Sequence, residues 1–122
     1  MARVVVFVPD LLFGSRVLEA VRAGGHEPAA VSDLAGLTAA APGAGALVVD
    51  LTFDADARID WVAGLGAVAP PVLAFYSHVE ADVRERAQAA GFALVVPRSR
   101  MAREGVDLIA RAVGSVPGPD LE

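Results

Sequence analysis

Two aspartates stand directly behind apolar runs in this 122-residue chain. Asp10 follows Val4-Val5-Val6-Phe7-Val8-Pro9, and Asp50 follows Leu47-Val48-Val49. Thr52 lies two positions beyond Asp50. Two later apolar runs also end in polar residues: Tyr76-Ser77-His78 behind Val72–Phe75, and Pro97-Arg98-Ser99 behind Phe92–Val96. Brought together, two carboxylates, hydroxyls and a guanidinium suit a divalent cation and a phosphoryl group. Mg²⁺ takes one or two carboxylates and keeps several waters, while phosphoryl oxygens accept from guanidinium and hydroxyl donors. Each residue also has a plainer use. Asp50 can cap the turn behind its strand, and Asp10 in the pair Pro9-Asp10 can open a turn before a helix. Ser77 and Glu80 frame a capping box. Arg98 can clamp a phosphate, or pair with Asp50 and neutralise it without metal, which places it within reach of that carboxylate.

Composition removes other chemistries. The chain has no Cys, which excludes disulfides, thiolate nucleophiles and cysteine-ligated metals. All ten basic residues are Arg, so the Lys of a P-loop and the amine of a Schiff base are both missing. Neither G-x-G-x-x-G nor G-x-S-x-G occurs. His26 and His78 are isolated and read as a loop residue and a solvated helix start. Asp54, Asp56 and Asp60 lack the Gly and terminal Glu of a calcium loop and instead favour a helix N-terminus. A formal charge of −5 argues against nucleic acid and anionic membrane as partners. The first apolar run stops at Pro9-Asp10, too short for a signal-peptide core, and no later run is long enough to span a bilayer, so a cytoplasmic protein is expected.

The elements that must position these residues alternate regularly. Strands are expected at Arg3–Val8, Pro28–Val31, Ala46–Val49, Val72–Tyr76 and Phe92–Val96. Between them, helices are expected from a Ser15 cap to Ala23, over Leu34–Ala41, over Asp56–Leu65 with Ile59, Val62 and Ala63 inward, from the Ser77 box to Ala90, and over Met101–Val113. The last helix is expected to bury Val106, Ile109, Ala110 and Val113, leaving Leu108 exposed. Strand–helix alternation with short connections predicts a parallel sheet covered on both faces. Right-handed crossovers reduce this to a flavodoxin-like (CheY-like) doubly wound α/β sheet of five strands, order 2-1-3-4-5, with five helices. Residues 1–113 are expected to form this single domain and 114–122 a flexible tail. Ligands of such sheets bind beyond the carboxyl ends of the strands, where Asp10, Asp50, Ser77 and Arg98 all fall.

Over Arg3–Val113 the chain resembles a response-regulator receiver domain. The resemblance is carried by Leu47-Val48-Val49-Asp50, by Pro71-Val72-Leu73 and by Ala89-Ala90-Gly91-Phe92. It implies Asp50 as phosphoacceptor, Asp10 as an acidic Mg²⁺ ligand and the Thr52 carbonyl as another, with Ser77 and Arg98 at the phosphoryl group. The departures are equally specific. Pro9 stands where the family carries the first of two acids, Tyr76 where it carries Ser or Thr, Arg98-Ser99 for its Lys-Pro, and Val95 for its aromatic switch residue.

The reading is therefore a divergent pseudo-receiver in two-component signalling, not an enzyme. It would work by protein–protein contact through the helix 4–strand 5–helix 5 face, homodimerisation included, with weak Mg²⁺ binding and weak or absent phosphorylation at Asp50. The first alternative is a flavodoxin-like protein that binds a nucleotide or another phosphate-bearing small ligand. The second is an authentic Mg²⁺-dependent phosphorylated receiver.

Overall fold

Apolar runs rich in Val cannot be left half-exposed, and here each becomes a strand covered on two faces. The computed structural model describes residues 1–77 and 80–115. Its strands are β1 (Arg3–Phe7), β2 (Glu27–Ala30), β3 (Ala46–Asp50), β4 (Val72–Tyr76) and β5 (Leu94–Pro97). The helices are α1 (Leu11–Ala23), α2 (Leu34–Ala40), α3 (Ala55–Ala63), α4 (Ala81–Ala89) and α5 (Arg98–Val113), with a 3₁₀ turn at Gly66–Val68. All strand pairs are parallel and the order is β2-β1-β3-β4-β5, as expected.

The period-2 alternation of each strand divides the core into two layers. Val4 and Val6 of β1, Ala46 and Val48 of β3, and Leu73 and Phe75 of β4 pack with Phe13, Val17 and Val21 of α1 and with Leu108, Ile109 and Ala112 of α5. Val5, Phe7, Leu47, Val49, Val72 and Ala74 face the other way, onto Leu37 of α2, Ile59 and Val62 of α3, and Val83 and Ala87 of α4. Helix α1 lies so close to the sheet that a Cβ at Gly14 would stand 2.7 Å from the Val8 carbonyl oxygen. Gly25, at φ 84°, takes the left-handed turn that ends α1.

Several boundaries differ from expectation, each for a local reason. Asp10 rather than Ser15 caps α1, accepting a hydrogen bond from the Phe13 N–H at 2.9 Å, so the helix starts one turn earlier. Helix α4 starts at Ala81 with Glu80 as cap and no side-chain cap bond, so Ser77 does not cap it. Ser77 instead accepts the Glu80 N–H on its backbone oxygen at 2.9 Å. The His78 and Val79 positions of the expected capping box lie outside the described residues, as does the expected tail from 116 onward. In α3, Ala63 is exposed, and Trp61 joins the apolar cluster in its place.

Strand β5 runs to Pro97, so α5 begins at Arg98 instead of Met101. A non-helical residue at Glu104 (φ −121°, ψ 25°) breaks the phase of α5. The buried stripe becomes Met101, Gly105, Leu108, Ile109 and Ala112, while Val106 and Ala110 turn outward. Leu108, expected outside, is fully buried.

Candidate functional site at the carboxyl rim

Parallel pairing puts Asp10, Asp50, Ser77 and Arg98 beyond the carboxyl ends of β1, β3, β4 and β5, all on one rim. They do not form one constellation there. Asp50, 5% exposed, is held from within its own loop. Its Oδ1 accepts from the Thr52 backbone N–H at 2.8 Å and from Thr52 Oγ1 at 2.6 Å. The aspartate therefore caps the turn behind β3, as its plainer reading anticipates. Asp10 is likewise engaged, with its Oδ1 on the first turn of α1.

Arg98 forms no ion pair with Asp50. Its guanidinium carbon lies 4.4 Å from the centre of the Phe13 ring, and among the described residues it makes no ion pair. The reason is the later end of β5, at Pro97: as the first residue of α5, Arg98 projects toward α1, where an aromatic face offers a cation–π contact. With Phe13, Arg16, Ser77, Ser99 and Ala102 it lines an open cleft of about 500 Å³.

The cation that does reach Asp50 is one the sequence reading passed over. Arg58, 8% exposed, donates from Nη1 to the Asp50 backbone carbonyl at 2.7 Å. Its guanidinium carbon lies 5.3 Å from the Phe7 ring centre and 5.8 Å from that of Phe53, and Trp61 stacks on Phe7 at 6.1 Å. A signal was available: Arg58 shares the inward face of α3 with Ala55 and Val62, at spacings of three and four residues. Asp54, which precedes that helix, has φ 50°, a left-handed conformation that Asp tolerates better than most residues.

The fit to a divalent ion can be judged from these donors. Both candidate carboxylates already accept backbone N–H bonds, and among the described residues no group of three acidic, His or Cys side chains could hold a metal. Pro9 adds no oxygen side chain where a second acid of that loop would stand. This donor set fits a resident Mg²⁺ poorly, because an ion that gives up its waters reluctantly needs concentrated negative charge.

No protein-family model matches the sequence, and no curated protein does. Solved structures do match, and they show the fold: it is that of the response-regulator receiver domains. The crystal structure of FixJ-N superposes with a TM-score of 0.80 at 15% identity, covering 98% of each chain. A response regulator receiver protein from Burkholderia phymatum gives 0.76 at 20% identity, over 96% of this chain and 98% of that one. The receiver domain of a sensor histidine kinase from Pseudomonas aeruginosa, solved with a magnesium ion coordinated in its active-site cleft, gives 0.74 at 15% identity over 93% and 98%. Among the described residues no helix is long and apolar enough to cross a membrane.

Proposed function

We propose that the chain is a receiver-like signalling module that acts through contact with a protein partner and is phosphorylated weakly or not at all at Asp50. The observation that carries this reading is the state of Asp50: its Oδ1 is committed to Thr52, and Arg98 is turned away onto Phe13. An acyl phosphate at Asp50 would have to form without Arg98, with the nearby Arg58 guanidinium bonded to the Asp50 backbone carbonyl, and beside a poorly charged metal site. Exposed apolar side chains on the same rim support a protein partner: Leu11 is 86% exposed, Leu12 83% and Phe53 68%. The α4–β5–α5 face is retained as a partner or homodimer surface by likeness of fold. An exposed Leu108 no longer supports it, since that side chain is buried. A cytoplasmic, non-enzymatic role goes with this reading.

The test is intact mass after incubation with acetyl phosphate and Mg²⁺, alongside a metal titration followed by Trp61 fluorescence. The natural chain should label little. Pro9→Asp, which adds a carboxylate to the rim, should tighten Mg²⁺ binding. Stoichiometric labelling of the unmodified chain at Asp50 would overturn the proposal in favour of a working receiver.

A further inference from the structure

The strongest feature that this reading leaves unused is the cleft between α1 and the start of α5. Its lining is Phe13, Arg16, Ser77, Arg98, Ser99 and Ala102, without a single acid, on a chain whose formal charge is −5. Five other arginines are occupied. Arg3 donates to the Ala40 and Pro42 carbonyls, Arg58 is buried against Asp50, and Arg86, Arg100 and Arg103 pair with carboxylates. Arg16 and Arg98 have no ion-pair partner among the described residues, and both converge on one aromatic ring. Their guanidinium carbons lie 5.9 Å and 4.4 Å from the Phe13 centroid. Phe13 itself is fixed, being 5% exposed and packed on Phe75 with ring centres 5.0 Å apart. Cation–π contact with a rigid ring limits the rotamer freedom that two exposed arginines would otherwise lose on binding.

We infer that this cleft is a binding site for a small phosphate monoester. Two guanidinium groups match the charge of a phosphate dianion, and their planar forks suit its oxygens better than single-point ammonium donors would. The Ser77 and Ser99 hydroxyls supply further donors. A volume of about 500 Å³ takes the phosphoryl group with a short organic remainder. The inference is independent of the fate of Asp50, since it uses neither that carboxylate nor a metal.

The experiment uses the full chain, ¹⁵N-labelled and titrated with inorganic phosphate and with AMP at constant ionic strength set by NaCl. Saturable shifts are expected at the Ser99 amide and at the Arg16 and Arg98 Nε–H groups, with a dissociation constant of about 1 mM or tighter. Arg98→Ala and Arg16→Ala should each weaken binding about tenfold. Both side chains are exposed, so the variants should fold, which circular dichroism checks. Asp50→Asn should leave the titration unchanged. Four outcomes overturn the assignment: shifts that never saturate, shifts that chloride reproduces, binding indifferent to both arginine variants, and binding abolished by Asp50→Asn. A phosphoserine peptide that binds about tenfold tighter than AMP would also overturn it, by moving the site to a protein partner. Labelling at Asp50 is read separately by mass, so failure here leaves the reading of Asp50 standing.

Discussion

On the β3 side of the rim, Asp50 accepts two hydrogen bonds from Thr52, Arg58 bonds its carbonyl, and Phe7 and Phe53 flank the guanidinium, with Trp61 stacked on Phe7. On the β5 side, Arg16 and Arg98 lean on Phe13 and face an open cleft without a carboxylate. The same residue type does opposite work in the two places. Arg58 satisfies the protein's own backbone, whereas Arg98 makes no ion pair among the described residues. A polar group spent on internal satisfaction has little left for a ligand, so the side that holds Asp50 is the less available one.

The largest effect should come from taking the closed side apart. Arg58→Ala strips a charge-assisted hydrogen bond from the Asp50 carbonyl and empties the space between two rings, and should cost about 2–3 kcal/mol in urea unfolding. Arg58→Met keeps the stem and should recover part of that loss. If Arg58→Ala unfolds within the error of the natural chain, the β3 side is not held as described and the contrast fails. A smaller loss, about 1 kcal/mol, is expected for Thr52→Val, which removes the Oγ1 donor while keeping shape and the backbone N–H bond. The same variant should raise whatever slow labelling Asp50 shows with acetyl phosphate, since one competing bond is gone. Unchanged labelling would mean that Thr52 does not limit access.

The smallest effect belongs to the exposed edge of the closed side. There Arg86 joins α3 to α4, meeting Asp56 at 2.6 Å and Asp82 at 2.8 Å. The hydrogen bond from Arg86 lowers the Asp82 pKa below the ordinary carboxylate value. A carboxyl lowered in this way contributes stability that is full above the ordinary carboxylate range and fades as pH falls through it. Arg86→Ala should therefore lower Tm slightly at neutral pH and by less in acid, and salt should shrink the difference. A deficit that grew on acidification would assign the clasp to other groups.

The fold was largely legible because strand periodicity and helix stops agree at nearly every position, from Val4–Val8 to Gly24-Gly25. What escaped were the places where one residue changes phase. Pro97 closes β5 rather than opening a loop, which moves Arg98 from the strand end into α5. Glu104 shifts the buried stripe by a fraction of a turn, exchanging Val106 for Leu108. In the site, the capping abilities of Asp10 and Asp50 could be read from residue type alone. The aim of Arg98 could not, because it depends on where Phe13 comes to lie across the sheet. Arg58 was hidden by the habit of assigning charges to the solvent face of a helix, although its spacing from Ala55 and Val62 points inward.

The break at Glu104 makes α5 two rods rather than one. The longer piece, carrying Leu108, Ile109 and Ala112, is committed to the sheet, while the shorter one carries Arg98 and Ser99 to the rim. Over generations this uncouples two kinds of change. Substitutions at Arg98 and Ser99 can retune what the rim recognises without repacking the hydrophobic layer beneath, to which the short rod adds Met101, and substitutions around Leu108 and Ile109 can drift without turning the arginine. A fold joined in this way lets the rim of α5 change while the layer beneath it stays put.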